Sequence, residues 1–154
     1  MNNVLYVVIP CYNEEEVLPE TAKELKNKLT KLIKDKKISN KSKVMFVNDG
    51  SKDKSWSMIE EISKKDKLFT GISLSHNRGH QNALVAGLLT ARSYADIVIS
   101  MDCDLQDDID AIDKMLEEYS KGSEIVYGVR SSRKKDTFFK RFTAEGFYKF
   151  MKLM

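Results

Sequence analysis

Four short apolar runs rich in β-branched residues recur along the chain, each ending in a polar, turn-forming stretch that opens into a helical pattern. They are Val4–Ile9, Val44–Val47, Leu68–Leu74 and Asp96–Met101. Runs of roughly four to eight such residues are too short for helices and read as strands buried on both faces. Strand, polar turn and helix in alternation imply parallel pairing, because a parallel neighbour is reached only through a crossover long enough to contain a helix. The chain is therefore confined to the α/β class, with a parallel or mostly parallel sheet and helices on both faces. Glu124–Val129 predicts one further strand.

The helices follow from spacing. From Glu14 onward, Leu18, Ala22, Leu25, Leu29 and Leu32 advance by alternating steps of four and three along one face. Pro19 falls near the first turn, where a missing amide costs little, and Glu14, Glu15 and Glu16 oppose the positive end of the helix dipole. Pro10 is expected to stop the ladder of the first strand, since it has no N–H to contribute. Asp53–Lys65 predicts a helix with Trp56, Ile59 and Ile62 inward, and Ala83–Ser93 another carrying Leu84, Gly87, Leu88 and Ala91. Ile109, Ile112, Leu116 and Tyr119 mark the last of the series.

At 154 residues the chain fits one domain with a proper core. A net charge of +3 makes no general case for a nucleic-acid partner. Cys11 and Cys103 form neither a disulfide framework nor a metal-ligand spacing, and no signal peptide precedes them, so a reducing cytoplasm is the expectation. No apolar run approaches the roughly 18 residues of a membrane span.

Chemistry concentrates where the strands end. Asp102 and Asp104 follow the fourth run, two residues apart, so a continuing extended backbone would point both carboxylates to one side. Paired oxygen ligands suit a hard cation such as Mg²⁺ or Mn²⁺, which takes the rest of its shell from phosphates and water. A solvated acidic loop with Asp107 or Asp108 capping the next helix is the plainer alternative. Asn48-Asp49-Gly50-Ser51 repeats the arrangement after the second run, although Asp-Gly is also an ordinary tight turn. Ser75–Asn82, with Arg78 and Gly79, would offer backbone amides and a guanidinium fork to phosphate oxygens. His76 and His80 span a loop-to-helix junction, which does not favour a shared zinc ion. Neither G-x-G-x-x-G after the first strand nor G-x-x-x-x-G-K-[ST] occurs, so the dinucleotide and common ATPase readings drop.

Val8-Ile9-Pro10-Cys11-Tyr12-Asn13-Glu14, Val47-Asn48-Asp49-Gly50-Ser51, Asn77-Arg78-Gly79 and Asp102-Cys103-Asp104-Leu105-Gln106 resemble, in order, the motifs of family 2 glycosyltransferases. The likeness is nearest to the branch that includes dolichyl-phosphate mannosyltransferase and bactoprenol glucosyltransferases. It implies a GT-A fold and inverting transfer from a UDP- or GDP-linked sugar, with a polyprenyl phosphate as acceptor. It further implies that Pro10, Tyr12, Asn13 and Glu14 line the base and ribose, Asp49 takes the base edge, and Arg78 and Asp102 complete the donor site. Asp102, Asp104 and Gln106 match the family's metal site. A general base is not identified, and the chain is expected to be one catalytic domain, 1–154, lacking its C-terminal part. An acceptor phosphate, with a second pKa of about 6, would arrive already ionised and relax the need for a base. A nucleotide-sugar-binding fragment without turnover is the alternative. An aspartate-nucleophile phosphatase fits poorly, since Gln106 stands where such enzymes carry Thr or Val.

Past Val129, Arg130, Arg133, Lys134 and Lys135 lead into a stretch that interleaves bases with Phe138, Phe139, Phe142, Phe147 and Phe150. This composition suits either an interfacial amphipathic helix or a final helix on the sheet. The resemblance favours the former, with Arg130 and Arg133 meeting a lipid phosphate at the cytoplasmic face of a membrane.

Overall fold

All seven residues of strand β1 (Leu5–Cys11) are buried. A strand with a neighbour on each edge and helices over both faces requires that pattern. In the computed structural model, which describes residues 3–129, β1 pairs in parallel with β2 (Lys43–Asn48), and β2 pairs with β3 (Phe69–Ser73). On the other edge of β1 lies β4 (Ile97–Ser100), also parallel, giving the order β3-β2-β1-β4. Register runs from Tyr6 opposite Lys43 to Cys11 opposite Asn48, and from Leu5 opposite Ile97 to Val8 opposite Ser100.

The helices are α1 (Leu18–Lys34), α2 (Ser55–Lys65), α3 (His80–Ala91) and α4 (Ala111–Ser120). Right-handed crossovers send α1 and α2 to one face while the sheet grows from β1 to β3, and send α3 to the other as the chain returns past β1 to β4. The packing agrees. Tyr6, Val8, Met45 and Val47 cluster with Ala83 and Ala91 of α3. Gly87 permits this close approach, for a Cβ there would stand 2.5 Å from Val8 Cγ1 and 2.7 Å from Val47 Cγ2. Gly71, paired with Phe46 and on the opposite face by strand alternation, meets α2, where a Cβ would stand 2.4 Å from Ile59 Cγ2. Leu18, Ala22, Leu25, Leu29 and Leu32 of α1 are all buried, as their spacing predicts.

Three local expectations are corrected. Pro10 does not end β1: the strand runs on to Cys11, with Pro10 opposite Val47. Even-numbered residues of β1 turn their backbone groups toward β4, as the Met101 N–H to Val8 carbonyl bond shows, whereas the Cys11 carbonyl accepts from Asp49 on the β2 side. The missing Pro10 amide therefore faces β4 beyond its last residue, where no ladder bond is lost. The first helix begins at Leu18 rather than Glu14, because the Glu14 carbonyl closes a turn with the amides of Val17 and Leu18. Glu124–Val129 is irregular, with Ile125, Tyr127 and Val129 exposed. Alternating apolar residues become a strand only where a neighbour takes up their backbone groups, and among the described residues no strand pairs with this stretch.

The chain divides after Asp113, within α4, into two compact units. No helix among the described residues is long and apolar enough to cross a membrane.

Candidate functional site

β1 is the point at which the strand order reverses: the chain leaves its carboxyl end toward β2 on one edge, while β4, reached through α3, lies on the other. Such a reversal, outside the carboxyl ends of the strands, is the usual ligand position in open α/β sheets, a crevice over the sheet edge. Tyr12, Asn13 and Glu14 leave β1 at this point and Asp102 to Gln106 leave β4, all within the first unit.

Asp49, the first residue past β2, is 2% exposed. One carboxylate oxygen accepts the Arg78 N–H at 2.7 Å and the other the Gly79 N–H at 2.9 Å. Gly50, at φ 65°, lets the β3–α3 loop pass directly over the turn, since a Cβ would stand 2.5 Å from the Asn77 nitrogen. Asn48 completes the junction, donating to Ser73 Oγ at 2.8 Å and accepting the Ser51 N–H at 3.1 Å. The amides of Arg78 and Gly79, expected to face a phosphate, are instead committed to Asp49. The anion at the start of α3 is a side chain of the protein itself. The guanidinium of Arg78 stays exposed.

A second junction ties the β1–α1 loop to the β2–α2 loop. Asn13, at φ 55°, accepts the Lys52 N–H at 2.8 Å and donates its own N–H to Ser51 Oγ at 3.0 Å. The Glu14 N–H reaches Ser55 Oγ at 2.8 Å, the Glu15 N–H reaches Asp53 at 3.1 Å, and Glu15 accepts the Lys54 N–H at 2.8 Å. Burial works against ionisation of Asp53, but the hydroxyl and amide of Ser55 and the amide of Glu15 outweigh it and hold the carboxyl below its usual range. Pro10 is buried in the strand, and Tyr12 is left with an exposed ring beside the crevice.

Beyond β4, exposure alternates: Asp102 and Asp104 are exposed and Cys103 between them is buried. Asp104 accepts the Gln106 N–H at 3.0 Å across Leu105, whose φ is 55°. His80 Nε2 lies 3.7 Å from Asp102, an attraction that exists only when the imidazole is protonated. The carboxyl of Glu14 is pushed up by burial and then by repulsion from Asp104, Asp53 and Asp102. The Cys11 thiol, which donates to the Ile9 carbonyl at 3.4 Å, is also pushed up, by the neighbouring Cys103 side chain and then by burial. Carboxylates thus crowd the reversal point, and their donors are oxygen only.

Among the described residues no three His, Cys, Asp or Glu side chains converge as a metal cage. Two carboxylates and the Gln106 amide oxygen fit a hard cation that shares its shell with phosphate oxygens. His76 turns to Ser75 at 3.0 Å, away from any common ion with His80. Arg130 and Arg133 lie outside the described residues. Sequence reading named Asn48, Ser51 and Asp53 without giving them partners and passed over Ser55 and Thr21; their polar atoms are satisfied within the turn or by residues of other loops and strands. Asn48 directly continues the buried apolar run of β2, which marks it as a buried polar residue in need of partners, while nothing local marks Thr21.

The sequence profile of Glycosyl transferase family 2 matches residues 6–153. The glycosyltransferase YkoT of Bacillus subtilis is 53% identical over 148 residues, covering 96% of this chain and 44% of its own length. A bactoprenol glucosyl transferase of Shigella phage SfX is 37% identical over 146 residues, covering 93% and 44%. The chain thus spans under half the length of these curated relatives. Among solved structures, the mannosyltransferase PcManGT of Pyrobaculum calidifontis, in complex with GDP-Man and Mn²⁺, superposes with a TM-score of 0.58 at 23% identity, covering 73% of this chain and 31% of that one. TarS 1-349 of S. aureus, in complex with UDP, gives 0.54 at 21% identity, covering 87% and 40%. These likenesses support the GT-A fold that the sequence implied. With its motifs gathered at one sheet edge and the family profile matched along nearly its whole length, the chain belongs to glycosyl transferase family 2.

Proposed function

We propose that this chain is the donor-binding part of a longer, inverting and metal-dependent glycosyltransferase, which moves a sugar from a nucleotide-diphosphate sugar to a polyprenyl phosphate. The observation that carries this reading is the crowding of Glu14, Asp102 and Asp104 at the strand-order reversal, beside the exposed ring of Tyr12. Carboxylates that repel one another over a crevice are stabilised by a shared cation and by a ligand that brings it. The GDP-Man and Mn²⁺ in the PcManGT complex, and the naming of phage relatives as bactoprenol glucosyl transferases, support the choice of donor, cation and acceptor.

In this reading Pro10, Tyr12, Asn13 and Glu14 shape the wall for base and ribose, with Asp49 at the base edge. Asp49 does so while pinning Arg78 and Gly79, so the wall and the start of α3 move as one piece. Arg78 is free to reach the diphosphate. Asp102, Asp104 and Gln106 would hold Mg²⁺ or Mn²⁺, which offsets negative charge on the departing diphosphate. Transfer joins an acceptor oxygen to the anomeric carbon as its bond to the diphosphate oxygen breaks, inverting that centre. A lipid phosphate brings its oxygen already ionised near neutrality, and Arg130 and Arg133 are proposed to receive it at the cytoplasmic face of a membrane. Because the chain spans under half of its relatives, a fragment that binds the donor without turnover is the second reading, and assay with a polyprenyl phosphate separates the two.

Calorimetry with UDP- and GDP-linked sugars, in Mn²⁺ and in EDTA, tests the proposal. Asp104→Asn should weaken nucleotide-sugar binding in Mn²⁺ about tenfold or more while leaving the EDTA affinity unchanged. Equal affinity of both proteins in Mn²⁺ would sink it.

A further inference from the structure

The acidic loop after β4 is anchored from a distance. Thr21 lies on the inward face of α1, fully buried, among Leu18, Ala22 and Leu25. A buried hydroxyl is costly unless it is hydrogen-bonded, and a β-branched residue is not a strong helix former. An apolar stripe alone gives no reason for threonine here.

Thr21 Oγ1 stands 2.6 Å from the Cys103 carbonyl, 82 residues away in sequence, and 3.1 Å from the Val17 carbonyl of its own helix. One hydroxyl has one proton to give. The Val17 carbonyl already accepts the Thr21 amide at 3.1 Å, so the proton belongs to the shorter bond. The Cys103 side chain is buried. It is the buried residue between two exposed carboxylates, and the residue after them, Leu105, adopts a φ of 55° that a side chain resists. A loop in that conformation persists only where its surroundings enforce it.

We infer that Thr21 is a positioning residue: by donating its hydroxyl to the Cys103 carbonyl it fixes the loop so that Asp102 and Asp104 face the crevice together. The inference rests on the proposed cation role of those two acids. Thr21 touches neither cation nor nucleotide. Its contribution is to the readiness of the pair, so its loss raises the cation concentration needed and leaves the metal-free affinity for nucleotide where it was.

The test compares the whole chain as wild type, Thr21→Val, which keeps the shape and deletes the hydroxyl, and Thr21→Ser, which keeps the hydroxyl. UDP and GDP binding is followed by calorimetry as Mn²⁺ is raised from zero. Thr21→Val should need about tenfold more Mn²⁺ for half of the full effect, the scale of an outer-shell loss, and Thr21→Ser should stay within about twofold of wild type. All three should bind nucleotide equally in EDTA. Wild type indifferent to Mn²⁺ would overturn the cation reading itself and this inference with it. A Mn²⁺-responsive wild type matched by Thr21→Val, or a Thr21→Val weakened equally with and without Mn²⁺, would overturn the inference alone. Thr21→Ala replaces Thr21→Val if the latter does not fold. Failure of both to fold, with Thr21→Ser intact, would assign the hydroxyl to stability and likewise overturn it.

Discussion

A carboxylate at the end of β2 occupies the place where an anion would sit at the start of α3. From the sequence, Asp49 is a loop acid at a sheet edge with no part in the core, and its removal should leave the fold intact. The structure gives the opposite expectation for stability, because Asp49 is buried and satisfies two backbone amides. Bonds to a charged acceptor are worth about 1.5–3 kcal/mol each, and amides left buried without one cost a comparable amount. Asp49→Ala should therefore lower the unfolding free energy by about 2–4 kcal/mol in urea titrations, besides weakening nucleotide binding. An unchanged urea midpoint would show that water replaces the carboxylate at no cost.

At the scale of elements, the salient contact joins α1 to the approach to α4. Lys28, 8% exposed on α1, pairs with Asp110 at 2.6 Å and with Asp113, which also receives Lys37 at 2.8 Å. Burial disfavours the Lys28 charge, but the bonds to Asp110 and Asp113 outweigh it and raise its pKa. Bonds from Lys28 and Lys37 hold Asp113 below the usual carboxylate value, and Lys28 does the same for Asp110. Depressed carboxylates contribute stability that is present above their unfolded pKa of 3.8 and disappears as pH falls through the lower folded value. The melting temperature of the wild type should thus fall more steeply below pH 3.8 than that of Lys28→Met, whose acids have lost this partner. Parallel curves for the two proteins in scanning calorimetry would deny the clasp a role. Pro10 carries a lesson at the same scale, for whether a proline ends a strand depends on which neighbour its missing amide would have faced.

For the molecule as a whole, protection should follow the sheet from its centre outward. β1 is covered on both faces and paired on both edges, whereas residues 121–129 are irregular with Ile125, Tyr127 and Val129 open to solvent. Local opening is easiest where buried apolar contacts and paired backbone groups are few. Amide exchange followed by mass spectrometry should find Val7 to Ile9 slowest and 124–129 exchanging within the earliest time points. Comparable protection of the two stretches would mean that the latter is paired in solution. Three side chains exposed on one alternating register also identify 124–129 as the part of the described chain least satisfied by its present neighbours.

Periodicity by itself determined the α/β class, the parallel sheet and the apolar stripe of α1, because burial of a strand or a helix face leaves a repeating mark on neighbouring residues. The positions of Tyr12, Asp49, Asp102 and Asp104 at strand ends were legible for the same reason. What Asp49 binds, where Glu14 sits among other acids, and which residue steadies Cys103 were decided only when separate loops met over the reversal at β1. Hydrogen bonds from Thr21 to Cys103 or from Arg78 to Asp49 join residues with no fixed spacing, so they leave no period to read. The same limit applies to Glu124–Val129, whose pattern is that of a strand and whose state depends on a neighbour the pattern cannot supply.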